Sequence, residues 1–116
     1  MKIPPKIQNQ LTQFEQVRQQ LQLLTTQRIQ IESQLREITN SLEELNTKSK
    51  NAVVYKKVGG IFVKVDDHKA LKNSLAEQKE TFDVRMKTLE RQEKQLKERY
   101  SDLQKDISKA VQQFEQ

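Results

Sequence analysis

The 116-residue chain is 34% hydrophobic and 32% charged, with a mean hydropathy of −0.91, well short of the near-half apolar content of an ordinary globule. It has no cysteine, one histidine and a net charge of +5. These values exclude a disulfide framework and thiolate chemistry, and leave too little apolar material for a compact two-layer core; a thin apolar seam between long helices suits them better.

The charge is interleaved rather than clustered. Residues 1–50 hold seven Lys/Arg and five Asp/Glu, and residues 51–116 hold fourteen and eleven. An evenly mixed surface of this kind is a solvated one, so no nucleic-acid partner is expected. No apolar run reaches signal-peptide or transmembrane length, so the expectation is a soluble, cytoplasmic protein without a membrane partner.

Pro4-Pro5 punctuates the start, since proline is welcome at the first helical position and nowhere deeper. A first helix is expected over residues 6–46. Its apolar residues keep a heptad, with Ile7, Phe14, Leu21, Arg28, Leu35 and Leu42 at a, and Ile3, Gln10, Val17, Leu24, Ile31, Ile38 and Leu45 at d. Between Phe14 and Leu45 only Arg28 interrupts the seam, and a pattern sustained this long argues for a coiled coil. Glutamine, a good uncharged helix former, fills much of the outer face. Poor helix formers and lysines at residues 46–51 end the helix.

Residues 53–65 then change period. They are rich in β-branched and aromatic side chains and contain both glycines, Gly59-Gly60, which reads as a β-hairpin with a two-residue turn. In that register Val58 faces Ile61, Lys56 faces Val63 and Val54 faces Val65 on one side; Lys57 with Phe62 and Tyr55 with Lys64 share the other. The first face is the more apolar and is expected to point inward. A lone two-stranded ribbon is marginal in water, so the hairpin needs a cover.

Asp66-Asp67 offers an N-cap for a second helix over residues 67–115, where acids suit the helix dipole. His68 follows, either a ligand or base or simply an exposed first-turn residue; no second histidine and no cysteine exist to join it. The second helix has Leu75, Phe82, Leu89, Leu96, Leu103 and Ala110 at d, and Lys79, Met86, Glu93, Tyr100, Ile107 and Phe114 at a. Asp83–Lys87, Glu90–Lys94 and Glu93–Lys97 stand at i,i+4 in the favourable order.

The two helical stretches, of about 42 and 49 residues, each span roughly 60–75 Å. Joined by a hairpin they fold back as an antiparallel pair, with residue i near residue ~120−i. This sets Arg28 near Glu93 and predicts that they interact and fix the register, against the alternative that each snorkels outward alone. It also gathers Ile3, Ile7, Leu11, Val111 and Phe114 at one tip. These five form a contact surface, unless they only complete the seam.

Enzymatic chemistry is not expected. There is no glycine-rich phosphate loop and no metal-ligand spacing, so neither a catalytic residue, a metal nor a cofactor is assigned.

The architecture and several local stretches together resemble the beta-type subunit of prefoldin, archaeal or eukaryotic. The stretches are Val54-Tyr55-Lys56-Lys57-Val58-Gly59 followed by Val63-Lys64-Val65, the Ile3-Pro4-Pro5 opening, Leu42-Glu43-Glu44-Leu45, and Thr88-Leu89-Glu90-Arg91-Gln92-Glu93. The resemblance covers essentially the whole chain as a single domain. It implies a mostly α fold, a long antiparallel coiled-coil helical hairpin whose one central β-hairpin joins an intersubunit β-barrel. The function implied is that of an ATP-independent chaperone subunit, in a hexamer of two alpha-type and four beta-type subunits, holding unfolded proteins at its tips and passing them to a group II chaperonin. Val54, Tyr55, Val58, Ile61, Phe62, Val63 and Val65 become assembly residues on that reading, with their open edges paired by neighbours. The competing functions are a passive coiled-coil tether and, further off, a nucleic-acid-binding arm.

Overall fold

A computed structural model describes residues 2–48 and 51–115. The element order is α1 (Pro5–Thr47), β1 (Tyr55–Val58), β2 (Ile61–Lys64) and α2 (His68–Glu115). The chain divides into two compact units, Met1–Gln30 with Lys87–Gln116, and Ile31–Met86.

The first helix starts where proline permits. Pro5 occupies the first helical position, and the Gln8 amide N–H donates to the Pro4 carbonyl at 3.0 Å. The Gln8 side chain also donates from Nε2 to the Ile3 carbonyl at 2.9 Å, stitching the residues before the helix onto its first turn. Mid-helix hydroxyls are satisfied internally: Thr12, Thr26 and Thr39 each donate to the carbonyl four residues earlier, so they neither compete with the helix nor need a partner. The helix ends at Thr47, inside the predicted 46–51 terminator; Ser49 and Lys50 of that stretch lie outside the described residues.

Burial follows the heptad. Ile7, Val17, Ile31 and Ile38 are buried, and every other a and d residue of α1 is at least half covered. In α2 Leu89 and Glu93 are buried, and the remaining a and d residues are half covered apart from Phe114. Among the described residues none is fully enclosed, as befits a seam that buries one stripe of each helix and nothing more.

In the first unit two contacts set the helix pairing. Phe14 and Tyr100 stack with ring centroids 4.5 Å apart, and Arg28 bonds to Glu93. The lower α1 residue meets the higher α2 residue, so the segments run antiparallel. Arg28 fits the simple fold-back within one residue. Phe14 departs from it, because its ring lies on Tyr100 and not near residue 106. Two large planar side chains reach along the groove and satisfy one another in preference to the strict register.

In the second unit the hairpin pairs Tyr55 with Lys64, Lys56 with Val63, Lys57 with Phe62 and Val58 with Ile61, antiparallel and in the register expected. The Val65 amide donates to the Val54 carbonyl at 2.8 Å and extends the ladder by one rung. Val53 lies outside it, so the hairpin is shorter than residues 53–65. Gly59 has φ +59° and Gly60 has no positive φ. A positive φ at the first central position alone is the type II′ pattern, which matches the right-handed strand twist.

Asp67 caps α2: its Oδ1 accepts from the Ala70 amide at 3.0 Å, and its carbonyl takes the Leu71 amide at 3.2 Å. Asp67 is therefore the cap rather than part of the helix, which begins at His68. His68 is half covered, not exposed as its first-turn position implied, because it falls one heptad before Leu75 on the seam side.

Candidate functional site

Among the described residues no group of three or more His, Cys, Asp or Glu is placed to hold a metal ion, and no helix is long and apolar enough to cross a membrane. Three features carry the chemistry that is present.

The first is the hairpin. Tyr55, Val58, Ile61, Phe62 and Val63 are all exposed, Phe62 at 71%, while Val54 and Val65 at its base are half covered. The apolar face expected to turn inward is thus uncovered, as is the opposite one. The reason lies in the seam: most leucines and isoleucines of α1 and α2 are already used at a and d positions. At the hairpin's base Leu45, Val53, Val54, Leu71 and Leu75 line an open cleft beside Ala52, which extends the apolar surface. Leu45 and Leu75 thus share one cleft, as the fold-back pairing required.

The second feature is the end of the first unit, where the residues near both chain termini belong to one compact body. Ile3, Leu11 and Phe114 are exposed at 46%, 41% and 40%, and Val111 is half covered. Ile7 is different. At 6% exposure it belongs to the seam and is no surface residue. Nearby, Gln10 occupies a d position with its Oε1 buried and without a hydrogen-bond partner. An orphaned acceptor of this kind costs about 1–3 kcal/mol, so the seam is weakened close to its end. The carbonyl of Ile3 is held by Gln8 Nε2, an anchoring that hydrophobic spacing alone did not reveal.

The third feature is a charge cluster around the buried Glu93. Arg28 Nε donates to Glu93 Oε2 at 2.5 Å, and Lys97 Nζ lies 3.0 Å from Glu93 Oε1. Each carboxylate oxygen therefore faces its own cation. Burial pushes the Glu93 carboxyl up, but the hydrogen bonds from Arg28 and Lys97 outweigh that, and it is held below the ordinary carboxylate range. Elsewhere in the unit, Glu15 and Arg18 pair through two hydrogen bonds. The Arg18 bond, set against slight desolvation, lowers the Glu15 carboxyl.

The described residues form two long helices joined by an exposed apolar hairpin, with exposed apolar residues near both chain termini. The comparisons agree. A family profile described as "Prefoldin subunit" matches residues 8–114. The prefoldin subunit beta of Archaeoglobus fulgidus is 44% identical over 105 residues, 90% of each chain. That of Thermococcus onnurineus is 42% identical over 109 residues, 94% of this chain and 93% of its own. The crystal structure of the prefoldin beta subunit from Thermococcus strain KS-1 superposes with a TM-score of 0.81 at 39% identity, covering 94% of this chain and 95% of its own. The chain belongs to the prefoldin subunit family. Members of that family are components of chaperones, not enzymes, and assemble with other prefoldin subunits.

Proposed function

We propose that this chain is a beta-type subunit of an ATP-independent cytoplasmic chaperone, which holds unfolded proteins at its coiled-coil tip, keeps them from aggregating and delivers them to a group II chaperonin. The observation that carries the reading is the exposure of Ile3, Leu11 and Phe114, apolar residues near the two chain termini of a protein with a mean hydropathy of −0.91. Each contact offered there is small. At about 25 cal/mol per Å² of apolar surface covered, one tip holds a client weakly, and several tips on one assembly hold it by avidity. Weak single contacts also explain release without nucleotide.

Assembly falls to the hairpin. Tyr55, Val58, Ile61, Phe62 and Val63, with Val54 and Val65 at the base, would be covered by an alpha-type subunit and other beta subunits, two alpha to four beta. Strand edges left open in the isolated chain are paired in this way, and the barrel so formed gives the ribbon the stability that two strands lack. The fit of the chain along nearly the full length of known beta subunits supports this.

The test is suppression of aggregation of a guanidine-denatured protein, read by light scattering, with this chain alone and combined with an alpha-type subunit. Protection by the combination is the expected result. Its absence overturns the chaperone reading, and sedimentation of the chain as a monomer in the presence of the alpha-type subunit overturns the assembly.

A further inference from the structure

We propose that a second client-holding surface runs along the outward face of α1 in the first unit, and that its occupant is an extended segment of unfolded polypeptide. The proposal rests on the chaperone reading above and adds a location that the tip residues do not include.

The two helices of this unit turn very different faces to solvent. On α1 the outward b, c and f positions between Gln8 and Gln30 are all exposed, and among them Glu15 alone is charged. That carboxylate is already occupied by Arg18 and Gln19. The rest are Gln, Asn and Thr, with two large aliphatic residues: Leu23, 60% exposed, and Ile29, 55% exposed. On α2 the outward face carries Lys87, Arg91, Lys94, Glu98, Asp102 and Lys105, all exposed. Propensity does not explain this difference, since Gln, Glu and Lys are nearly equivalent helix formers.

A face with a single charge, itself paired with Arg18, is unusual on a chain that is 32% charged, and it has a physical consequence. A chain laid over ions must strip their hydration, at a cost that weak contacts cannot offset. A chain laid over Gln16, Gln22 or Gln30 meets amides that both donate and accept, which suits a backbone with unpaired N–H and C=O groups. Leu23 and Ile29 supply the apolar contact. Their separation argues against a packed helix as the occupant. They stand six residues apart, at c and b, and no third residue continues them at the three- and four-residue spacing that a coiled-coil partner or a second copy of this chain needs. An extended, irregular segment has no such requirement.

The test uses the complex assembled with an alpha-type subunit and guanidine-denatured rhodanese. L23E/I29E places two charges on the α1 face, and Q95E/S108E places two on outward positions of α2. All four positions are exposed, so helix melting followed by circular dichroism should be unchanged. L23E/I29E is expected to raise the concentration needed for half-protection by about fivefold, with Q95E/S108E close to the unmodified complex. A photo-cross-linking residue at position 23 is expected to capture rhodanese, and one at position 95 is not. Equal loss in both variants, no loss in either, or capture of a neighbouring subunit from position 23 overturns the inference. If the unmodified complex itself gives no protection, the chaperone reading fails first and this surface falls with it; loss confined to the tip variants Ile3→Ser and Phe114→Ser leaves that reading standing and rejects the α1 face.

Discussion

Arg28 Nε donates to Glu93 Oε2 at 2.5 Å across the seam of the first unit, and Glu93 is 4% exposed. Both residues stand at a positions where every heptad rule asks for an apolar side chain. The pair weakens the seam relative to two leucines, yet it gives the buried carboxylate a cation from the opposite helix beside Lys97 of its own.

Glu93→Leu removes the carboxylate to which Arg28 Nε donates, and Arg28→Leu removes the cation that reaches Glu93 from the opposite helix. Each single change is expected to cost about 2 kcal/mol. The swap R28E/E93R is expected to recover most of that, while R28L/E93L should equal or exceed the original stability. Thermal melts at one fixed protein concentration check this, since assembly makes the midpoint concentration-dependent. Independent, additive losses in the swap would show that the two side chains do not act as a pair.

The same carboxylate makes stability depend on pH with a defined sign. Its pKa is lowered in the folded chain, so the unfolded chain binds the proton first as pH falls. The stabilisation is complete above the ordinary glutamate range, near ~4.3, and is lost as pH falls through the lower folded value. Melting midpoints between pH 7 and pH 3 are expected to fall less steeply in Glu93→Gln than in the unmodified chain. Parallel curves would remove Glu93 from the account.

Much of this was legible in the sequence because the heptad is a one-dimensional signal. Ile7, Val17, Ile31 and Ile38 lie buried where spacing placed them, and the hairpin register followed from Gly59-Gly60 alone. Arg28 with Glu93 was legible as two exceptions at matched distances from the turn. Side-chain reach was not. Spacing could not foresee that the rings of Phe14 and Tyr100 would meet off the simple fold-back, or that Gln8 would tie down Ile3. The described residues leave the hairpin's apolar face uncovered; in the proposed assembly that cover would come from other chains, which a single sequence does not contain.

The two glycines of the turn are predicted to differ. Gly59 sits at φ +59°, a region costly for a residue with a Cβ, whereas Gly60 has no positive φ and a Cβ there would meet nothing within 4 Å. Gly59→Ala is expected to cost about 1 kcal/mol. Gly60→Ala should be neutral or slightly stabilising, through the entropy of the unfolded chain. Strand pairing by amide hydrogen exchange distinguishes them; equal losses would argue for a type I′ turn.

The α2 cap gives a third measure of local stability. Asp67→Ala removes the acceptor of the Ala70 amide and is expected to cost about 1 kcal/mol, with Asp67→Asn recovering most of it. Exchange protection of the amides of the first turn should fall in the alanine variant alone.

Ile7 and Phe114 separate holding the seam from holding a client. Both are apolar and lie in the same unit, but Ile7 is 6% exposed and Phe114 is 40% exposed. Ile7→Ser removes a buried side chain and places a hydroxyl in the seam, so it is expected to destabilise by about 2–4 kcal/mol. Any loss of aggregation suppression would then follow from fraying of the helix pair. Phe114→Ser removes a side chain that is 40% exposed, in the last turn of α2. Its melting midpoint should stay close to that of the unmodified chain while suppression of aggregation falls. The ratio of lost protection to lost stability is therefore the informative quantity, high for Phe114 and low for Ile7. Melting and light scattering on the same preparations give it directly. If Phe114→Ser lowers the midpoint as much as Ile7→Ser does, the exposed residues belong to the seam after all and the tip is not a binding surface.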